Sequence, residues 1–439
     1  MKKTIYQDNF AYTCLKPLID YTTKSCYRKT CVHGKENIPT DGALLLTPNH
    51  CNTLMDALVV LYSHDKQTVF GARADLFKKP FIAKVMHFVR ILPMVRQRDG
   101  LRNVLKNKDT QEIIVEILEN DVRFCLYPEG THRAKHSLQV LGKGAFRAAL
   151  AANEKFGSEK PVYIVPVGLE YGDYFRFHST SLINYGKAIN VTEFIKGLDT
   201  DNEAQVMEAL RKELTLRMSE LITYIKYDEN YEAKWALTKM LAISSEGKGY
   251  GEFGTDLYED MIKNREIVAQ IEKAMDEKPE EMAELLKTVS EFEGYRKKEG
   301  VSIYSFKKRS SPKLFALGKA FAALVGLPYF VFSAVANLPI WATSIGVRSI
   351  IKDRAFRNTA SFGVKLAMSL LLVPTYAALA FCLAPWWAAL IFLLLWIPSY
   401  GYFYDYIEGC RRWFSDIKLL RCRKLWKNFK EIIKTYKKL

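Results

Sequence analysis

Paired cysteines are missing from this 439-residue sequence. The eight present, at positions 14, 26, 31, 51, 125, 382, 410 and 422, have neither the close spacing of a zinc site nor the density of a disulfide framework, so they read as reduced thiols. Also missing is a G-x-S-x-G nucleophile elbow or any serine sequence-linked to a histidine and an acid, which excludes the common lipid-hydrolase design. The N-terminus, MKKTIYQDNFAYTCLK, starts basic but has no apolar run long enough for a signal peptide. Residues 1–27 are therefore expected to form an amphipathic helix, and the first domain to stay in the cytoplasm. The formal charge of +16 has no base-reading motif to serve, and its basic residues are dispersed. Nucleic acid is excluded as the partner, and an anionic lipid surface takes its place.

What is present is unevenly spread. The chain is 49% hydrophobic, and most of the excess lies after Pro312. Before it, four short apolar runs each end in turn or polar residues: Ala43–Leu46 before TPNH, Thr68–Phe70 before GARAD, Val122–Leu126 before YPEGT, and Val162–Val165 before PVG. These read as buried strands. Helix-length stretches such as Met55–Tyr62 and Thr110–Glu119 lie between them, which predicts an α/β fold with a sheet flanked by helices over residues 28–190. Open α/β sheets place their ligands at strand ends, where the polar residues gather here. Residues 191–312 turn to charged, helix-period sequence such as EAQVMEALRKEL and are expected to form a helical insert without a catalytic constellation.

Residues 313–404 carry the strongest apolar stretches, about Leu314–Ile345, Leu366–Ala384 and Trp386–Tyr400. A membrane span needs about 20 apolar residues. The connector VRSIIKDRAFRN and the tail over residues 405–439 are both basic, which directs both to the cytoplasm. With a cytoplasmic catalytic domain, Leu314–Ile345, interrupted by Pro328 and Pro339, must enter and leave on one side as a re-entrant segment. The last two stretches then form one transmembrane hairpin, about 364–404. A simple three-span arrangement is the alternative.

Four segments carry chemistry. In TPNHCNTLMDALVV a strand ends at Pro48, His50 follows in a turn, and Asp56 opens an apolar helix. Activating a hydroxyl as a nucleophile needs a base of pKa near 7, and imidazole serves when a carboxylate sets its tautomer. His50 is the candidate base and Asp56 the candidate orienting acid. In GARADLFKKP and FVRILPMVRQRDG, Arg73, Arg96 and Arg98 follow apolar stretches, where a guanidinium is able to hold a phosphate bidentately. In RFCLYPEGTHR, Gly130 and Thr131 offer backbone N–H groups to a phosphate or oxyanion, with Glu129 beside them, and Lys143 opens the next helix. The fourth, YIVPVGLEY, is an apolar strand bearing Pro166.

Taken in this order, the four segments resemble the glycerol-3-phosphate and lysophosphatidic acid acyltransferase family, with its Asn-His…Asp block, arginine block, Glu-Gly-Thr block and proline-bearing strand. The resemblance covers roughly residues 28–190. It implies an acyltransferase-type mixed sheet and a His50–Asp56 dyad without metal or cofactor. It also implies substrate contacts from Asn49, Arg73, Arg96, Arg98, Glu129, Gly130, Thr131 and Lys143, and a structural or acyl-site role for Pro166. The donor implied is acyl-CoA or acyl carrier protein. The first acceptor implied is 1-acylglycerol-3-phosphate, giving phosphatidic acid in phospholipid synthesis at a bacterial inner membrane or its equivalent. Glycerol-3-phosphate is the second acceptor, and a non-catalytic membrane adaptor is the reading from another class. Two departures matter. Five residues separate His50 from Asp56, where the commonest motif has four, and one extra residue turns a helix by about 100°. The dyad requires that residue to be absorbed before the helix, Asn52 being the other candidate orienter. PEGTHR also replaces the commoner PEGTRS, which moves the arginine to Arg133 and leaves His132 in its place.

Overall fold

A computed structural model describes residues 5–7, 9–94, 104–245, 250–251, 256–308 and 311–439. They divide into two compact units, one of Met1–Lys24, Thr30–Tyr174 and Ser181–Ile222, the other of Ser25–Lys29, Phe175–Thr180 and Thr223–Leu439.

In the first unit the chain runs through α1 (Phe10–Cys26), β1 (Lys29–His33), β2 (Ala43–Pro48), α2 (Leu54–Tyr62), β3 (Thr68–Arg73), α3 (Pro80–Phe88), β4 (Ile91–Met94), α4 (Val104–Glu119), β5 (Arg123–Cys125), α5 (Gly144–Phe156), β6 (Val162–Tyr171), β7 (Thr180–Tyr185), β8 (Ile189–Asn190), α6 (Val191–Lys196) and α7 (Glu203–Glu220). The strands form one eight-stranded sheet in the order β1-β7-β6-β2-β5-β3-β4, with β8 beside β6. Pairs β2–β6, β2–β5, β3–β5 and β3–β4 are parallel, whereas β6–β7 and β6–β8 are antiparallel, so the sheet is mixed. All four expected strands are there. β1, β4, β7 and β8 are additional, being short or mixed in polarity and therefore faint in the pattern. Strand β2 is buried throughout, which is why ALLLTP reads as a continuous apolar run rather than an alternating one. Its register with β6 sets Thr47 opposite Pro166 and Pro48 opposite Val167. Helices α4, α5 and α7 cover the sheet, with Ile114, Phe146, Leu210 and Leu214 in its core. Helix α7, expected in the charged insert, lies in the first unit, whose core covers its apolar stripe and which extends to Ile222.

The second unit contains α8 (Tyr231–Ser245), α9 (Leu257–Glu277), α10 (Pro279–Lys298), α11 (Pro312–Ala336), α12 (Leu338–Ile350), α13 (Phe356–Leu383), α14 (Trp386–Arg421) and α15 (Arg423–Tyr436). Helices α11, α13 and α14 are long and apolar enough to cross a membrane, which marks the chain as a membrane protein. Helix α11 runs antiparallel to α14: Lys319 pairs with Asp416 at 2.7 Å, Tyr402 donates to the Gly326 carbonyl at 3.0 Å, and Ser333 bonds Ser399. The chain turns at Asn337, whose amide donates to Ser399 Oγ at 2.8 Å, and α12 then steps back along α14 to stack Trp341 on Phe403. Below the apolar half of α14, Asp405 holds Arg28 and His178, and Glu408 holds Arg176 and Arg412. These pairs gather the segments Ser25–Lys29 and Phe175–Thr180 into the second unit. The stretch read as a basic tail is the helical end of α14 followed by α15, whose Leu425, Phe429, Ile432 and Ile433 are buried with α8 and α10.

Candidate active site

The parallel pair β2 and β5 ends side by side, bonded from the Leu126 N–H to the Leu46 carbonyl at 3.0 Å, so the turn carrying His50 meets the turn carrying Glu129. Beyond Pro48, Asn49 continues the ladder with its side chain: its amide donates to the Leu169 carbonyl at 3.1 Å, and its Oδ1 accepts from the Leu169 N–H at 2.6 Å. Both ends of that amide are thereby engaged by β6, and Asn49 pins the turn from a buried position.

His50 Nδ1 lies 2.8 Å from Asp56 Oδ2. With a carboxylate accepting, Nδ1 carries the proton and Nε2 keeps its lone pair. The Asp56 side chain is fully buried, whereas the His50 ring is 19% exposed. Asp56 is the third residue of α2, and its Oδ2 also accepts the N–H groups of Cys51 and Asn52 at 2.8 and 2.7 Å, a variant of the capping box. Its Oδ1 accepts the hydroxyl of Tyr171 at 2.7 Å, from the end of β6. The extra residue between His50 and Asp56 is absorbed by Thr53, which sits at φ 52°, ψ −132° immediately before α2. A β-branched residue at positive φ costs about 1–3 kcal/mol, and the hydrogen bonds around Asp56 hold it there. The side chain that meets the imidazole is Asp56; Asn52 contributes its backbone.

The Glu129 turn is tied to the His50 turn at two points. The His50 N–H donates to Glu129 Oε1 at 3.2 Å, and the Arg133 N–H donates to the His50 carbonyl at 2.9 Å. Gln139 reaches back to Glu129 Oε2 at 2.9 Å and to the Thr131 carbonyl at 2.7 Å. Burial pushes the Glu129 carboxyl up to about 7, against the lowering effect of the Gln139 and His50 donors. Gly130 has φ +65°, with open space where a Cβ would stand, so the requirement for glycine there is conformational rather than spatial. Its N–H closes the turn on the Tyr127 carbonyl at 3.1 Å, leaving the Thr131 N–H as the donor of that pair with no bond to a described residue. The rings of Tyr127 and His132 flank His50, with centroids 4.4 and 5.8 Å away.

The remaining expected residues fall in different places. Arg73 ends β3, half-exposed, with its guanidinium forked on Asp75 at 3.0 and 2.6 Å. Arg96 and Arg98 lie outside the described residues. Lys143 caps α5 and is exposed. Pro166 is buried within β6, and its carbonyl accepts from Gly186. Arg133 turns its guanidinium onto the Leu138 carbonyl at 3.0 Å and Ser137 at 3.1 Å. Tyr171, Gln139 and Tyr127 were not singled out from the sequence. Tyr171 stands in the quoted strand, two residues beyond Leu169, but nothing local marks it as a partner for a residue 115 positions away. Among the described residues no group of three or more His, Cys, Asp or Glu is arranged to hold a metal ion.

Comparison with known proteins adds two findings. Residues 29–170 match the family model described as Acyltransferase. Among solved structures, the crystal structure of the 1-acyl-sn-glycerophosphate (LPA) acyltransferase PlsC from Thermotoga maritima is similar over 46% of this chain and 80% of its own, with 20% identity and a TM-score of 0.33. No curated protein matches the chain.

Proposed function

From the premise that residues 29–170 are a domain of the acyltransferase family, we propose that the chain transfers a fatty acyl group from acyl-CoA or acyl carrier protein to a hydroxyl of 1-acylglycerol-3-phosphate, with glycerol-3-phosphate as the alternative acceptor. The observation that carries the reading is the 2.8 Å His50–Asp56 contact, with Nε2 directed away from the carboxylate and the Glu129 turn beside it. Nε2 removes the proton of the acceptor hydroxyl as its oxygen attacks the thioester carbonyl. The tetrahedral oxyanion collapses, the C–S bond breaks, and the leaving thiolate takes the proton from the imidazolium. The products are the ester, here phosphatidic acid, and the free thiol. Asp56 fixes the tautomer and steadies the charged ring. The Thr131 N–H and the Glu129 carboxyl orient the acceptor, with Arg96 and Arg98 as the phosphate-holding candidates.

A lipid product explains why such a domain shares a chain with apolar helices. In this reading α11 and α12 form the re-entrant pair and α13 and α14 the transmembrane hairpin. The catalytic unit and the basic ends then lie on the cytoplasmic side of a bacterial inner membrane or its equivalent. A non-catalytic adaptor would have no use for a histidine held in one tautomer beside the Glu129 turn. The decisive assay incubates the chain in lipid nanodiscs with labelled acyl-CoA or acyl carrier protein and each acceptor in turn, and identifies the lipid formed. His50→Ala should lower transfer at least a thousandfold with the fold retained. Activity kept within a few fold would refute the assignment of the base.

A further inference from the structure

Among the described residues, the segment between β3 and β4 exposes three large apolar side chains, Leu76, Phe81 and Val85. Helix α3, PFIAKVMHF, contains no buried residue. Phe81 is 75% exposed and Val85 44%, one turn apart on the same face, and Leu76 in the preceding turn is 43% exposed. A helix of a soluble domain normally gives its apolar stripe to the core. α7 does so, and α15 does so in the second unit. α3 instead keeps its stripe outside, with Lys78, Lys79 and Lys84 interleaved and exposed, and residues 76–94 contain no acidic residue.

We propose that α3 and the turn before it form a membrane-interface element, which sinks Leu76, Phe81 and Val85 below the headgroups of an anionic bilayer while the three lysines meet the phosphates. The interleaving decides between occupants. Protein–protein interface cores are depleted of lysine, whereas interfacial helices pair Phe and Leu on one side with lysine on the other. The chain also brings its own bilayer, because among the described residues three helices are fit to cross one. The element leaves from the C-terminal end of β3, the end of the parallel strands at which His50 and Glu129 stand. Docking there holds the mouth of the site at the lipid surface, so that a bilayer-resident acceptor reaches His50 without passing through water. That last step rests on the acyl-transfer reading; the docking itself does not.

The test therefore uses a readout independent of catalysis. With p-benzoylphenylalanine placed at Phe81, at Val85 and, as a control, at Leu216 on the exposed face of α7, the full chain is illuminated in nanodiscs of phosphatidylcholine with and without phosphatidylglycerol. Lipid adducts at positions 81 and 85, at least fivefold above position 216 and several-fold higher with phosphatidylglycerol, are expected. The anionic preference should disappear in K78Q/K79Q/K84Q. Lipid adducts no more frequent than at position 216, or adducts to protein alone, overturn the proposal. Equal yields in both lipids overturn its electrostatic half. If docking holds, Phe81→Asp should lower kcat/KM about tenfold for a long-chain acceptor in the bilayer and less than twofold for a short-chain acceptor in solution.

Discussion

Two histidine–carboxylate pairs of the first unit, His50–Asp56 and His136–Glu170, differ in how accessible the ring is. His50 meets Asp56 at 2.8 Å, and His136 meets Glu170 at 3.1 Å, each through Nδ1. Both acids are buried. The difference lies in how far each side chain is exposed. The His50 side chain is 19% exposed, at the ends of β2 and β5, while that of His136 is 8% exposed, with the Tyr174 hydroxyl 3.3 Å from its Nδ1 beside Glu170. A base needs a tautomer set by a partner and a lone pair that substrate is able to reach. The second pair meets the first condition alone, so proximity of acid and histidine is a poor guide without access.

The sharpest way to break this comparison is to neutralise each acid in turn. Asp56→Asn should cost about 10³–10⁴ in kcat, the order seen when the acid of a catalytic triad is lost. Glu170→Gln should leave kcat within about threefold and act on thermal stability instead. Equal losses in the two variants would put His136 into the mechanism.

A smaller effect separates the surroundings of His50 by pH. The Glu129 carboxyl, at 4.5 in an ordinary setting, is pushed by burial to about 7. Between those values the unfolded chain releases a proton that the folded chain keeps. The contribution is therefore fully present below pH 4.5, falls as pH rises and is gone above 7, a span of about 3 kcal/mol at most. The excess stability of wild type over Glu129→Gln, followed by hydrogen exchange at the Leu126 amide, should accordingly grow as pH is lowered from 7 to 4.5. His64, pushed down to about 3 by burial, works in the opposite sense and cancels in that difference. A difference that stays level across the interval would mean the carboxyl titrates normally.

The smallest effect belongs to Tyr171, one of several donors to Asp56. Tyr171→Phe removes one neutral-to-charged hydrogen bond of about 1–2 kcal/mol and should lower kcat about three- to tenfold, with KM for the acceptor unchanged. A KM effect without a kcat effect would place Tyr171 in substrate binding rather than in positioning the dyad.

Much of this was legible in the chain. The runs before TPNH and YPEGT end where β2 and β5 end, and the polar residues after them do meet, because parallel strands in one sheet deliver their C-terminal ends to one side. The apolar stretches after Pro312 are membrane-length helices because composition and length alone decide that property. The break between α11 and α12 falls at Asn337, two residues before Pro339, where a proline at the start of a helix is favoured. Less legible were the roles within the blocks. Asn49 looked like a substrate contact and is instead consumed by Leu169. Arg73 looked like a phosphate clamp and is forked on its neighbour Asp75. A residue type declares what it is able to bond, and only the folded neighbourhood says which bonds are already taken.

The spacing of five residues between His50 and Asp56 shows where the division falls. Sequence by itself determined that a histidine stands at a strand end and an aspartate at a helix start, since strand, turn and helix signals are local. It also determined that the stretch of α7 carries helix-period apolar residues. Whether the extra residue spoils the dyad was decided by the tertiary structure, which holds Thr53 at positive φ and brings Tyr171 to Asp56 across 115 residues. It decided too that α7 and α15 bury their apolar faces while α3 leaves its own exposed. Local bonding is written in neighbouring residues; the cost of a strained turn, and the covering of an apolar face, depend on groups that only folding brings near.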